Sequence, residues 1–318
     1  ATRDLIATAV EDGSPAGNLK ITTTEGAAFA APTHWSFTQL ATRAKVKGVT
    51  PRADYLRALP APLAAECINY GLQTSPVQEV GIYVRRPATS NASWTLRSVN
   101  GSKYGRVADS DISGAVLRSF DLNRWTPPGA KQCLSHSDRD MFLFLVDSEN
   151  EIAVSNRRNG EAGTLKRGVM IWNSCVAHLT LGIATFLFDD LCLNRTIFGL
   201  SDFGELRIRH TSGAPHRWLE EMLPAIKAYG DGASAPLNQV IANAQQARID
   251  EIDKFLLARF SKSQAAGIIA SHELDEGRPM ETLFDASVGI TAYARTLNHN
   301  DTRSIVERAA GAVLQLAA

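Results

Sequence analysis

Cysteine is scarce in this chain: four among 318 residues, at Cys67, Cys133, Cys175 and Cys192. Their wide spacing argues against a disulfide framework and for a reducing compartment, so a cytoplasmic protein is expected. No run of about 18 apolar residues occurs, and no membrane-spanning helix is expected. The most apolar stretch, 176–188, already contains His178 and Thr180. The chain opens Ala-Thr-Arg-Asp, with no basic segment leading into an apolar one, so no secretory leader is read there. Glycine-rich phosphate loops of the Walker and Rossmann kinds are missing. Ser174, Cys175 and His178 stand close together, but without the glycine pattern of a nucleophile elbow. There is no internal repeat, no low-complexity tract and no net charge, 33 Lys and Arg balancing 33 Asp and Glu.

The composition is that of a folded globular protein. Hydrophobic residues make up 44% of the chain, enough for a sizeable core. At this length two structural units are the expectation. Charge is unevenly spread: residues 80–217 carry four more cations than anions, and residues 218–318 four more anions than cations. The middle of the chain is therefore the better place for a polyanion.

The first 35 residues are weakly patterned and read as an arm, with one strand at 19–22. Helical spacing begins at Ser36-Phe-Thr-Gln39, which has the form of a capping box. Thr50-Pro51 opens a short second helix, and a third ends at Gly71. From Gln78 the period changes to two, giving strands around 80–84 and 94–98 joined by a loop at 87–91, with Asn100-Gly101 as a turn. A helix is expected over 111–120, capped by Ser110 or Asp111. Residues 141–146 read as a buried strand, 147–150 as a turn, 152–154 as a second strand, 156–163 as a loop and 165–172 as a third. Residues 176–193 are apolar almost all round and predict a helix laid across those strands. Strands at 197–198 and 206–209 follow, and after Pro215 every signal is helical. The fold class is therefore α+β: an antiparallel sheet with a β-β-β-α block and crossing helix, a small N-terminal helical cap and an all-helical C-terminal region. The expected divisions are an arm over 1–34, a core over 35–229 and a helical region over 230–318.

Two Cys-x-x-His pairs, Cys133 with His136 and Cys175 with His178, have the spacing of a Cys2His2 zinc set. Two such pairs also arise by chance, and neither a metal nor a cofactor is expected. Asp138, Asp140, Asp147 and Glu149 bracket the apolar strand at 141–146. Clustered carboxylates can hold Mg²⁺ for phosphoryl chemistry, or simply cap and turn the chain. No residue is assigned a catalytic role.

The most informative stretch is 80–108. It holds Arg85, Arg86, Arg97, Lys103 and Arg106, the rings of Tyr83, Trp94 and Tyr104, and no Asp or Glu. Cations interleaved with aromatics on strands suit single-stranded nucleic acid, cations for phosphates and rings for stacked bases. Arg157, Arg158, Lys166 and Arg167 continue the basic pattern in the next hairpin, and Arg207 and Arg209 in the last strand. The alternative is that these are scattered surface arginines.

Several phrases resemble the phage- and plasmid-borne bacterial family known as domain of unknown function 932. They are Trp35-Ser-Phe-Thr-Gln-Leu40 with Tyr55-Leu56 and Leu59-Pro60, Tyr104-Gly-Arg106, Asp138-Arg-Asp140 before Phe142, Trp172-Asn-Ser174, Cys192 with Asn194, Gly199, and Arg207-Ile-Arg-His-Thr211. The resemblance implies a mobile-element setting and carries no functional residues with it. Joined to the basic strands, it suggests by analogy a single-strand annealing protein acting in recombination or replication as a homo-oligomer on single-stranded DNA or RNA. The alternatives are a carboxylate- or metal-dependent DNA-processing or anti-defence enzyme, and a protein-interaction module built on the acidic helical tail.

Overall fold

The computed structural model describes residues 1–10, 18–24, 30–86, 94–129, 133–189, 194–197, 205–231 and 235–318. The chain is mixed α+β with two sheets and a helical C-terminal region, as its patterning predicts.

Three of the five strands of the first sheet come from residues read as an arm. Strands β1 (Leu5–Val10), β2 (Asn18–Thr23) and β3 (Ala30–Pro32) precede helices α1 (His34–Arg43), α2 (Ala53–Ala58) and α3 (Ala61–Thr74). Strands β4 (Val80–Arg85) and β5 (Trp94–Gly101) complete it in the order β1-β2-β3-β5-β4. All pairings are antiparallel except β3 with β5. Leu5 and Ala7 alternate inward on β1, and Leu19 and Ile21 on β2. With Leu96 and Val99 they bury Phe37, Leu40, Ile68 and Leu72 of the helices. The strand signal at 19–22 is legible in the sequence; the alternations on either side of it are too short to stand out.

Local caps differ from expectation. Helix α1 starts earlier, capped by Thr33, whose Oγ1 accepts from the Ser36 amide at 3.1 Å. Gln39 turns away from the helix end to Val99 and Val176. Gly71 does not end α3, which runs on to Thr74. The 87–91 loop lies outside the described residues.

Helix α4 (Asp109–Ser119) leads into β6 (Trp125–Thr126), β7 (Leu134–His136), β8 (Met141–Arg157) and β9 (Glu161–Asn173). Its first turn carries Asp109 and Asp111, but neither Ser110 nor Asp111 caps it, the N-cap being Ala108. Next come β10 (Leu181–Asp189), β11 (Asn194–Ile197) and β12 (Leu206–Ile208). The second sheet runs β11-β10-β9-β8-β6, with β7 on β8 and β12 on β10, all antiparallel. The chain does turn within the expected 156–163 loop, but only at Arg158–Gly160, residues 156–157 and 161–163 belonging to β8 and β9; Asn156 and Gly160 take positive φ.

Two expectations fail in this sheet. Residues 147–150 do not turn the chain: β8 runs straight through, and these four residues face the single residue Arg167 of β9. Asp147 points inward there, onto Arg124 and Arg167. The second failure is the crossing helix over 176–193. Residues 181–189 are a strand, and every one of them is buried. With both sheet faces covered no polar face is needed, so alternation vanishes and the run reads like a buried helix. The β-branched and aromatic residues Ile183, Thr185, Phe186 and Phe188 were the available signal. Gly182 lies beneath Trp172, where a Cβ would come 2.0 Å from the indole.

One face of the second sheet packs Met141, Leu143, Val169 and Ile183 against α4 and the segment around Trp218 and Ile226. That segment comprises α5 (Ala214–Arg217), a π-helical turn at Trp218–Met222 and α6 (Leu223–Asp231). Then follow α7 (Ala235–Gln246), α8 (Ile252–Leu257), α9 (Lys262–Glu276), α10 (Leu283–Ala294) and α11 (Asn300–Leu314). These helices share a core of Ile241, Leu256, Ile268, Phe284, Ile290 and Val313 with Ile152, Val154 and Leu165 of the sheet. No helix among the described residues is long and apolar enough to cross a membrane.

Candidate functional site

The two sheets meet at the turn between β9 and β10, residues 174–180. Ser174 shapes it: its Oγ accepts from the amides of Val176 and His178 at 3.3 and 2.9 Å and donates to the Arg139 carbonyl at 2.7 Å. Ala177, a non-glycine residue, takes a left-handed φ of 64°. The turn's carbonyls receive donors from the first unit. Trp35 Nε1 and Gln39 Nε2 reach the Val176 carbonyl at 2.9 and 2.8 Å. The Tyr104 hydroxyl donates to the Ser174 carbonyl at 2.5 Å, and Arg106 Nε to the Cys175 carbonyl at 3.1 Å. A third stretch of chain joins them, since Gly105 N donates to the His210 carbonyl at 3.1 Å. Only glycine fits at 105, because a Cβ would stand 1.8 Å from the Thr211 carbonyl oxygen. Residues from several of the phrases quoted for the family resemblance, among them Trp35, Tyr104, Arg106, Ser174 and His210, thus come together around one turn.

The twelve residues expected to bind nucleic acid do not form one face. Arg97, Arg157 and Arg167 are buried. Arg97 Nη2 donates to the Asp138 carbonyl at 2.8 Å, and Arg157 lies between Asp189 and Glu276 at 2.5 and 2.6 Å. Arg167 holds Asp147 at 2.8 Å. A phosphate cannot reach these three side chains in this fold. Lys166 pairs with Glu151 at 3.3 Å and Arg207 with Glu205 at 2.8 Å. Arg106 lies over the Tyr83 ring, its Cζ 4.1 Å from the centroid. Arg85, Trp94, Lys103, Arg158 and Arg209 are exposed, and Tyr104 is half-buried.

The acidic residues also divide. Asp147 takes hydrogen bonds from Arg124, Arg167 and Asn150, far along β8 from Asp140. Burial would raise its pKa, but these donors hold it well below the usual carboxylate range. Asp138, Asp140 and Asp147 therefore do not make a common metal cradle. Nor do the two Cys-x-x-His pairs. Burial pushes the Cys175 thiol up to about 11, and its Sγ faces the Val107 carbonyl, which removes it as a nucleophile at neutral pH. His136 lies 3.5 Å from Asp109.

A different trio assembles instead. Asp140 precedes β8, His178 sits in the 174–180 turn, and Asp301 is in the first turn of α11. One ligand atom from each lies within 4.8 Å of the others, the only such group of three among the described residues. Nδ1 of His178 is 3.2 Å from Asp140 Oδ2, and Nε2 is 3.9 Å from Asp301 Oδ2. Sequence reasoning noticed Asp140 and His178 separately and missed Asp301, which looks like an ordinary acid at a helix start.

Ala177, beside His178, also lines a cleft of about 290 Å³ between α1 and the end of β5. Its walls include Gln39, Thr42, Arg43, Lys45, Asn100 and Tyr104, and no carboxylate. Arg43 is fixed there by the Val99 carbonyl and Gln78, at 2.8–3.1 Å. Lys103 stands exposed in the turn that follows Gly101. Arg43 and Lys45 were overlooked in the sequence, although no Asp or Glu stands between Glu25 and Asp54.

Comparison with protein-family models, curated proteins and solved structures gives no match for this chain.

Proposed function

We propose that the protein binds single-stranded nucleic acid, with backbone phosphates drawn into the cleft beside α1. The observation that carries this reading is the cleft's composition: Arg43 and Lys45 among amide and hydroxyl groups, with no carboxylate in the lining; Lys103 is exposed in the turn between the lining residues Gly101 and Tyr104. In a chain of zero net charge, such a one-signed cleft concentrates the attraction for an anion. Exposed Trp94, at the opposite end of β5 from the cleft, offers a ring for a base farther along the strand. Arg85 and Arg209 are the further cations free to meet phosphates. In this proposal annealing and homo-oligomeric assembly enter by analogy with single-strand annealing proteins, the phage- or plasmid-borne setting by the family resemblance, and the cytoplasm by the spread of the cysteines.

The test is fluorescence anisotropy with labelled single- and double-stranded oligonucleotides across salt concentrations. The expected result is preference for single strands, with affinity falling steeply as salt rises. Lys45→Ala and Lys103→Ala should each flatten the slope of log K against log salt by about 0.7 for every phosphate that is no longer neutralised. Absence of affinity at low salt, or an unchanged slope in the double variant, overturns the reading.

A further inference from the structure

We propose that Asp140, His178 and Asp301 bind a divalent first-row transition-metal ion. The inference is independent of the nucleic-acid reading and rests on the placement of three side chains from separate parts of the chain.

One pair, His178 Nδ1 with Asp140 Oδ2, has the spacing of ligands around one ion, and Asp301, whose nearest ring atom is Nε2 at 3.9 Å, turns towards Nδ1 to share it. Two ligand atoms each about 2.1 Å from a metal stand roughly 3.0 Å apart at an octahedral edge and roughly 3.4 Å apart at a tetrahedral one. The 3.2 Å between His178 Nδ1 and Asp140 Oδ2 falls between these values. That nitrogen is buried and faces the carboxylate oxygen.

The ligands are held before any ion arrives. Asp140 Oδ1 accepts from Ser137 Oγ at 2.8 Å, which leaves Oδ2 for the site. The His178 amide is fixed by Ser174 Oγ, and its ring meets the Trp35 ring edge-on at 4.8 Å. The left-handed Ala177 sets the direction in which His178 leaves the turn. Arg139 is the competing cation, but its Nη2 is 3.7 Å from Asp301 Oδ2 and its side chain is 30% exposed, so it can swing aside.

Chemistry selects the ion. An imidazole nitrogen with two carboxylates suits Mn²⁺, Fe²⁺, Co²⁺ or Zn²⁺, whereas Mg²⁺ and Ca²⁺ favour oxygen alone. Three protein ligands leave at least one position open, the pattern of a site that also holds water or a substrate oxygen. The side chains are 10–23% exposed, so the open position faces solvent.

Isothermal titration calorimetry of chelator-treated, dialysed full-length protein with ZnCl₂, MnCl₂ and MgCl₂ tests this, with Co²⁺ absorption as the spectroscopic readout. The expected result is one Zn²⁺ or Mn²⁺ per chain, no competition from equimolar Mg²⁺, and a Co²⁺ spectrum that disappears in His178→Gln. Asp140→Asn and Asp301→Asn should each weaken binding at least tenfold. Asp301→Asn lies at a solvent-facing helix start, and its unchanged melting without metal excludes misfolding as the cause. Arg139→Gln should bind as tightly as the parent or tighter, and Cys133→Ser should bind unchanged, separating the site from a thiolate one. No stoichiometric binding by the parent, or binding that survives all three ligand replacements, overturns the proposal.

Discussion

The guanidinium of Arg157 grips the carboxylate of Glu276 across 119 residues of chain, Nε at 3.2 Å from one oxygen and Nη2 at 2.6 Å from the other. Asp189 stands 2.5 Å from the same Nη2, and all three side chains are buried. The tip of the β8–β9 hairpin is thereby fastened to the end of α9. Arg157→Ala leaves two carboxylates inside without their cation, and breaking a buried pair in this way costs about 3–5 kcal/mol. Combining Arg157→Met with Asp189→Asn and Glu276→Gln should recover most of that loss, because the penalty comes from uncompensated charge. Urea unfolding of the two variants measures both effects. A loss below about 1 kcal/mol for Arg157→Ala would be the value of a solvated pair and would contradict the buried arrangement.

Gly105 meets the Thr211 carbonyl so closely that a Cβ would stand 1.8 Å from its oxygen. Gly105→Ala must push the 209–211 segment away and break the bond from Gly105 N to the His210 carbonyl. We expect a loss of about 1–3 kcal/mol, the usual cost of overpacking. Gly101→Ala is the matched control, since a Cβ there meets nothing within 4 Å. Thermal melting of the two should differ clearly; equal melting points would show that the junction yields freely.

Particular residues show what was legible in advance. Strand β9 and the helical C-terminal region follow from hydrophobic period; the reciprocal capping boxes of Ser261 with Gln264 and Thr282 with Asp285, visible in the structure, were also there to be read. Strand β10 did not follow from period, because burial on both faces erases the alternation that distinguishes a strand from a helix. Arg157 and Arg167 have the same sequence signature as Lys103, a cation in a basic, strand-patterned stretch. What separates them is Glu276, Asp189 and Asp147, brought from elsewhere in the chain, and single-sequence patterning is blind to such partners. Likewise Asp140 and His178 each invited a metal reading with the wrong companions. Asp301 reaches them only through the docking of α11 on the second sheet.

Asp147 gives the fold a defined acid limb. Burial alone would raise its pKa, but hydrogen bonds from Arg124, Arg167 and Asn150 depress it below the ordinary carboxylate value. A depressed folded-state pKa means the contribution is complete above the unfolded value of about 3.9 and is lost as pH falls below it. Asp147→Asn should therefore flatten the dependence of stability on pH below about 4. It should also cost about 3–5 kcal/mol at neutral pH, because Arg167 stays buried without its carboxylate. Urea midpoints between acidic and neutral pH report both, and a parallel pair of curves would exclude Asp147 as their source.

His272 acts earlier in the acid range. Its side chain is fully buried on α9, and neither ring nitrogen has a hydrogen-bond partner among the described residues. Desolvation lowers its pKa, while Asp285 and Glu276 pull upward and Arg278 again downward. The unfolded chain takes up a proton near pH of about 6.5 that the folded chain refuses. Stability from this group is therefore complete above that value and declines as pH falls, with a limiting slope of about 1.4 kcal/mol per pH unit. His210, whose pKa burial also lowers, adds to the same window from the junction of the sheets. Replacing His272 with Leu removes the titration and two unsatisfied nitrogens at similar volume. It should leave stability at pH 7 within about 1.5 kcal/mol of the parent, as volume-conserving core replacements do. Towards pH 5 the parent loses stability faster, so the variant's relative stability must rise. Unfolding free energies of parent and His272→Leu at several pH values decide it: the difference between them has to grow as pH falls, and a constant difference would mean that His272 does not titrate with folding.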